Sequence, residues 1–284
     1  MEAMNRIPTD APLKKEDGTL TGLGKRRMLW LSAIENTTML RDDIERLIRA
    51  NLIDTSLALA KKYLPAEAFV NNKFYIVLFG GSNAYAVNDE NGYDLLQLPK
   101  KNNGMIDIEN VISTFAHEMH HTGFRYCVNK YMKGIKNRDK IFPIGVLVAE
   151  GMPTHFINRT RDNLDDYLNN QNKLFQMEAK DWQTHLSRLP QLYSEVEHDI
   201  SLNLKGEIDE DDTWDKWMGG TKGPAYVLGA DMFFVIEKYL GVDAAIQVLY
   251  DYRQILKIYN NAATKGNKSG GNYYIFKKEL VDEL

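Results

Sequence analysis

The chain has 284 residues, 44% of them hydrophobic, which is enough for a substantial core in one large domain or two closely packed lobes. Its 35 Lys and Arg against 39 Asp and Glu give a formal net charge of −4. There is no broad basic field to recruit nucleic acid, so we predict no nucleic-acid role. The single cysteine, Cys127, excludes an intrachain disulfide and a cysteine-rich metal cluster.

Hydropathy predicts a soluble protein. The first residues are polar and lack the apolar core of a secretory signal, and no later apolar run approaches the roughly 18 residues of a membrane span. We expect neither a signal peptide nor a transmembrane segment in the chain as given. These features leave the compartment open.

The first part of the chain alternates between two kinds of pattern. Apolar residues recur at helical spacing over residues 28–60 and predict an amino-terminal helical region covering residues 1–70. Three short aromatic or β-branched runs then predict strands, at residues 74–79, 83–87 and 93–98. We expect a small, mainly antiparallel sheet. Residues 80–85 could form a rim strand for an extended substrate or a simple glycine turn.

A long helix is predicted next, with Asp107 as its N-cap and its end near Tyr126. Its core-facing stripe consists of apolar residues spaced three and four apart, namely Ile108, Val111, Ile112, Phe115 and Met119. At 100° per residue, His117 lies about 180° and His121 about 220° from Ile108. The two histidines are therefore expected to face away from this stripe.

The run His117-Glu118-Met119-His120-His121 within this helix has the pattern of a metallopeptidase. Two imidazoles four residues apart on one helix face can share one Zn²⁺, and Glu118 can act as a base. Ordinary surface histidines are the alternative, but three of the six histidines in the chain fall within these five residues. His120 lies on the helix flank, where packing is favoured over coordination.

A catalytic zinc normally takes three protein ligands, so a third ligand must be found. The metzincin pattern is excluded because Phe124 and Cys127 occupy its glycine and histidine positions. The best candidate is Glu150, the only ionisable residue in the apolar run 141–153. A carboxylate there needs a partner, which could be zinc, a salt bridge or a helix N-terminus. The histidines further along the chain stay as alternatives, namely His155, His185 and His198.

Two prolines frame the Glu150 segment. Pro143 suits the first turn of a second helix. Pro153 is expected to kink or restart that helix just past Glu150, because it offers no amide to Ala149.

The HExxH run followed by Glu150 on the next helix resembles the gluzincin metallopeptidases. The similarity is greatest to little-characterised zinc-dependent peptidases that pair a His-Glu-x-His-His run with Glu-Gly and a later Tyr-x-x-Gly helix. Here Glu150-Gly151 and Tyr226-Val227-Leu228-Gly229 match, and the resemblance extends over roughly residues 74–249.

The chain departs from thermolysin-like gluzincins in two ways. The 29 positions between His121 and Glu150 are more than those enzymes have, which implies an inserted loop at residues 129–142. Those enzymes also place an aspartate four residues after the ligand glutamate to orient a histidine, where this chain has Thr154. The residue that orients the ligands is thus left unassigned.

The resemblance implies a zincin-like α+β fold, with a small, mainly antiparallel sheet and an active-site helix followed by a mostly helical carboxy-terminal lobe. The catalytic core would span residues 71–160 and the lobe residues 161–284, with helices near residues 164–186, 191–204, 224–240 and 243–259. We expect these regions to form one continuous structural unit.

The implied activity is hydrolysis of a peptide or protein substrate with one Zn²⁺ per chain, held by His117, His121 and Glu150. Glu118 would be the general base. Tyr226 is the candidate oxyanion donor, although a plain core tyrosine is an equal alternative, and His155 is a lower-ranked donor.

Two other functions stay open. The spacing Glu-x-x-His occurs at Glu118 and again at Glu195, with Glu150 between, which matches most of a ferritin-like di-iron carboxylate site. Its first glutamate would be Glu35 or Glu45. The other possibility is a peptidase-fold binding protein without turnover, against which the intact Glu118 counts.

Overall fold

The structure is a computed structural model. It describes residues 12–14, 21–71, 73–78, 84–87, 90–98, 100–101, 104–135, 141–169, 173–220 and 222–284. The described residues are mostly helical. In chain order the helices are α1 Gly22–Glu35, α2 Thr37–Arg49, α3 Leu52–Lys61, α4 Ile108–Tyr131, α5 Phe142–Pro153, α6 Leu164–Leu168, α7 Lys173–Ser187, α8 Leu189–Lys205, α9 Glu210–Met218, α10 Pro224–Leu240, α11 Val242–Gln247, α12 Ile255–Lys268 and α13 Lys278–Glu283.

The prediction of a zincin-like α+β fold on a mainly antiparallel sheet was wrong. The described strands are short, namely β1 Lys73–Val77, β2 Ala84–Val87 and β3 Glu90–Asp94, in the order β1-β3-β2. Strands β2 and β3 pair antiparallel, with Val87 opposite Glu90, but β1 pairs parallel with the other edge of β3. Local strand patterns do not reveal which edge a third strand joins. Of the candidate rim segment at residues 80–85, positions 80–83 lie outside the described residues, and positions 84–85 belong to β2.

Contacts divide the chain into two compact units. The first comprises residues 1–52 and 72–111, and the second residues 53–71 and 112–284. In the first unit, the buried Asp43 carboxylate accepts hydrogen bonds from the Ile106 amide at 3.1 Å and from Lys100 Nζ at 2.9 Å. The division at residues 70 and 160 that the sequence suggests stays a prediction.

The second unit is built around α10. This helix begins at Pro224, after Gly223. Proline has no amide hydrogen, but the first amides of a helix have no partner within the helix, so none is lost. The helix is followed by Gly241, whose φ of +87° is a conformation that favours glycine. Most of its side chains are buried, and it packs against α5 more extensively than any other described pair of helices does. Helices α7, α8, α9 and α12 also contact it. Helix α10 is therefore the main packing partner of α5.

The sequence located several helices well. The predicted helix at residues 224–240 has the bounds of α10, and α4 follows Asp107 as predicted but continues to Tyr131. The single helix expected at residues 243–259 is instead two helices, α11 and α12, with a short 3-10 turn at Tyr252–Gln254 before α12. Within the expected insertion at residues 129–142, positions 136–140 are outside the described residues. None of the described helices combines the length and apolar character needed to cross a membrane.

Candidate metal centre

Helix α4 presents His117 and His121 one turn apart. The buried Phe115 and Met119 anchor a different side of the helix, as the apolar stripe predicted. The two imidazole ring centroids are 4.6 Å apart. His117 is only 8% exposed, although it does not share that stripe. A second covering element must therefore lie over the histidines, and it is α5.

Glu150 of α5 approaches both imidazoles. Its Oε2 lies 3.3 Å from His117 Nε2, and its Oε1 lies 3.6 Å from His121 Nε2. All three side chains are at most 18% exposed. The only ionisable residue of the apolar run thus does have a partner, and the partner is the pair of histidines.

The spacing of these donor atoms fits a zinc ion. Nitrogen and oxygen ligands about 2.0–2.1 Å from a tetrahedral Zn²⁺ lie about 3.3–3.4 Å from one another. The 3.3 Å between Glu150 Oε2 and His117 Nε2 is at that separation, and the 3.6 Å between Glu150 Oε1 and His121 Nε2 is slightly longer. Two neutral imidazoles and one carboxylate are also the donor types that zinc takes in catalytic sites. The residues present therefore fit the metal.

Asn158 determines which nitrogen of His117 is available. The Asn158 Oδ1 lies 2.5 Å from His117 Nδ1, and a carbonyl oxygen can only accept, so Nδ1 donates. In the neutral imidazole, Nε2 then carries a lone pair directed at the Glu150 carboxylate. Two acceptors facing each other need a cation or a proton between them. Asn158 was not predicted from the sequence.

Asn158 reaches His117 because the helix changes its winding after Glu150. Helix α5 ends at Pro153, as the proline predicted, and residues Thr154–Asn158 form a π-helical turn. Arg159 then closes the turn with a φ of +51°. Thr154, which occupies the position of the orienting aspartate, is buried with its hydroxyl unpaired. The one sequence feature that bears on Asn158 is Pro153. A proline there indicates that the α-helical spacing of side chains does not continue beyond residue 153.

Charge at the site is dominated by Glu150. Burial alone would raise the pKa of its carboxyl, but the adjacent His121 and His117 lower that pKa to about 2. Burial lowers the pKa of His121, whereas for His117 the hydrogen bond and charge of Glu150 outweigh burial and raise the pKa. An ionised, enclosed Glu150 thus calls for positive charge beside it, from a proton on His117 or from a metal ion.

Glu118 belongs to the same cluster. Ligand atoms of His117, Glu118 and His121 all lie within 4.8 Å of one another. Glu118 follows His117 directly on α4, so it approaches the centre from the helix that holds both imidazoles. Two carboxylates, Glu118 and Glu150, are therefore available for two different roles.

The DUF5700 family model, whose description reads "Putative zinc dependent peptidase", matches residues 2–268. The chain belongs to this family. The zinc dependence in the family description agrees with the cluster of His117, Glu118 and His121 on α4. No curated protein and no solved structure matches the chain.

Tyr226 of this DUF5700 protein lies at the same centre. It is in the first turn of α10, within electrostatic reach of Glu150 and Glu118. Burial, together with the charges of Glu150 and Glu118, raises the pKa of Tyr226 well above its usual range, so the phenol stays protonated. Lys222 Nζ stands 4.0 Å from the centroid of the Tyr226 ring and adds positive charge beside Glu150.

Close packing of Gly151 against Gly229 positions the helices that carry Glu150 and Tyr226. A Cβ added at Gly151 would lie 2.4 Å from the Gly229 Cα, and one added at Gly229 would lie 2.3 Å from the Leu147 carbonyl oxygen. Helices α5 and α10 therefore cross with their backbones in contact. The Glu-Gly and Tyr-x-x-Gly motifs each supply one glycine to this crossing.

His155 does not join the metal cluster. Its Nε2 lies 2.7 Å from Glu237 Oε2, and its ring packs edge-on against Phe234. Glu237 is eleven residues beyond Tyr226 on α10, which corresponds to about 16 Å of helix rise. The structure thus brings Tyr226, and not His155, to the centre.

His120 packs, as expected. It is fully buried, and its Nε2 donates to the Tyr63 carbonyl at 3.1 Å. Burial lowers the pKa of His120 to about 3, so the imidazole is neutral. His120, the extra histidine of the motif, thus links α4 by a hydrogen bond to the segment that follows α3.

The residues of the di-iron alternative are engaged elsewhere. Glu195 is ion-paired to Arg188 at 2.7 Å, and His198, one turn further along α8, is exposed. His185, another candidate third ligand, contacts the Lys222 carbonyl through Nε2 at 3.1 Å. Among the described residues, the group of three possible metal ligands is His117, Glu118 and His121 on α4, and Glu150 of α5 approaches both histidines of that group.

Proposed function

We propose that this DUF5700 protein is a gluzincin-type zinc metallopeptidase that hydrolyses peptide bonds in peptide or protein substrates. His117, His121 and Glu150 would hold one Zn²⁺ per chain. The observation that carries the proposal is the approach of both imidazole Nε2 atoms to the two oxygens of the enclosed Glu150. The gluzincin assignment refers to this ligand set, since the fold is mostly helical.

The two carboxylates are assigned different roles because their surroundings differ. Glu150 places one carboxylate oxygen near each imidazole, so both of its oxygens are directed into the cluster. The ligand atom of Glu118 lies within 4.8 Å of those of His117 and His121. We therefore assign Glu150 as the third ligand and Glu118 as the base. When bound, Zn²⁺ would supply Lewis-acid polarisation of the scissile carbonyl and a lowered pKa for water.

The protein groups account for the proton transfers. Glu118 accepts the proton of the attacking water and delivers it to the leaving amine. Tyr226, kept protonated by its surroundings, donates a hydrogen bond to the oxyanion of the tetrahedral intermediate. Asn158 keeps the proton of His117 on Nδ1, so that Nε2 stays free as a donor.

The test of this function is cleavage of a mixed peptide library by the purified full chain. Cleavage should stop when a chelator removes the metal and return when Zn²⁺ is restored. A chain that binds zinc but cleaves none of the peptides would instead be a binding protein. Mass spectrometry of the products identifies the cleaved bonds, and with them endopeptidase or exopeptidase action.

Replacing Asn158 with Ala is expected to weaken zinc binding by roughly 10–100-fold, the usual effect of losing a partner that orients a metal-binding histidine. Chelator competition measures this affinity without relying on activity. Asn158→Asp is the matched control, because its carboxylate accepts the same hydrogen bond and should keep zinc at least as tightly. Equal zinc affinity in the Ala variant and the wild type would exclude the orienting role.

Replacing Tyr226 with Phe separates oxyanion stabilisation from support of Glu150. We expect kcat at saturating zinc to fall by roughly 10²-fold, as for the loss of one oxyanion donor, with KM nearly unchanged. If the hydroxyl only holds Glu150, zinc affinity falls instead and kcat at saturating zinc is preserved. That second pattern would remove Tyr226 from the catalytic residues.

A further inference from the structure

An apolar pocket adjoins the candidate metal centre within the second unit. Its volume is about 480 Å³, within the range of roughly 300–1,000 Å³ typical of ligand sites. Helices α4, α5 and α9 supply most of its walls. Its lining consists mainly of apolar and aromatic side chains, among them Phe124, Val128, Phe142, Val146, Trp214 and Tyr252.

The pocket continues the helix faces that carry the metal ligands. On α4, Phe124 and Val128 lie three and seven residues after His121, so they extend the stripe of His117 and His121 along one face. On α5, Val146 lies one turn before Glu150, which itself lines the pocket. A substrate whose scissile bond is at the metal centre therefore has an apolar cavity next to it.

The chemistry of the walls selects the occupant. Trp214 of α9 packs beside Phe142 with ring centroids 5.8 Å apart, yet its side chain is 49% exposed. The charged residues of the lining are Glu150 and Glu210, both acidic. A large apolar side chain would remove the aromatic walls from water, whereas an acidic side chain would meet like charge.

We propose that this pocket receives a large aliphatic or aromatic side chain of the substrate, next to the scissile bond. The proposal rests on the proposed peptidase function, because the pocket adjoins the site through Glu150. It defines a substrate class: peptides with Phe, Leu or a residue of similar size at this position, in preference to small or acidic residues.

The experiment measures binding separately from turnover. Capped pentapeptides Gly-Gly-X-Gly-Gly, with X as Phe, Leu, Ala, Asp or Lys, are titrated calorimetrically into the zinc-loaded Glu118→Gln variant. The Phe and Leu peptides should bind at least about tenfold more tightly than the Ala peptide, as expected for filling an apolar pocket. Trp214→Ala should reduce that preference several-fold. Ile275→Ala, which removes a similarly exposed apolar side chain (44% against 49%), should leave it unchanged.

The outcomes distinguish the pocket from the peptidase function. A preference for Phe and Leu in binding, without cleavage of any peptide by the wild type, would refute the peptidase function and leave the pocket as a binding site. Cleavage without a size preference would refute the pocket and leave the peptidase function. Binding that favours the Lys or Asp peptide, or no measurable binding of any of them, would also overturn the pocket proposal.

Discussion

Replacing Glu118 with Gln is expected to lower kcat at least about a thousandfold while zinc stays bound, because the amide keeps the shape of the side chain but cannot accept a proton. His117, His121 and Glu150 are unchanged in this variant, so the ligands remain in place. Steady-state cleavage of a library-derived peptide gives kcat, and metal analysis of the same sample gives the zinc content.

The matched control is Glu109→Gln on the same helix, which removes an exposed carboxylate from the first turn of α4. It should cleave at the wild-type rate. If Glu118→Gln also cleaved at that rate, Glu118 would not be the base. If it lost zinc to the same extent as a Glu150 variant, Glu118 would be a ligand, and the roles of the two carboxylates would have to be exchanged.

Replacing Gly151 with Ala is expected to destabilise the second unit by about 3 kcal/mol or more, at the upper end of the usual cost of overpacking. The added methyl would lie 2.3 Å from the Gly229 carbonyl carbon, which is backbone and cannot turn away as a side chain can. Helices α5 and α10 must separate to accept it. Thermal unfolding should show a midpoint lower by roughly 6–12 °C for a domain of this size.

Gly145→Ala provides the control, since it makes the same substitution earlier on α5. A Cβ there would lie 3.7 Å from the Tyr252 ring, an ordinary contact, and alanine favours the helix by about 1 kcal/mol. This variant should be as stable as the wild type or more so. Equal stability of the Gly151 and Gly145 variants would show that the helices do not cross in backbone contact.

The residues of the candidate metal centre were predictable because their signals are local. A four-residue spacing places His117 and His121 on one helix face whatever surrounds them, provided that the segment is helical. Glu150 was identifiable because an isolated carboxylate in an apolar run requires a partner. Both predictions follow from a single helix at a time, and the structure brings these residues together.

The orienting residue and the sheet were not predictable in this way. Asn158 depends on a π-helical turn after Pro153, where the α-helical periodicity no longer applies. The parallel pairing of β1 with β3 depends on which sheet edge was free, and strand alternation says nothing about that. The glycine crossing had a local signal in Gly151 and Gly229, but its meaning became visible only when the two helices were placed against each other.

The zinc content of the purified chain tests the central claim most directly. Inductively coupled plasma mass spectrometry should find one zinc per chain in the wild type and in Glu118→Gln. In Glu150→Ala, zinc affinity should fall by more than the roughly 10–100-fold typical of losing an orienting partner. Undiminished zinc binding in Glu150→Ala, or two irons per chain in the wild type, would contradict a zinc centre held by His117, His121 and Glu150.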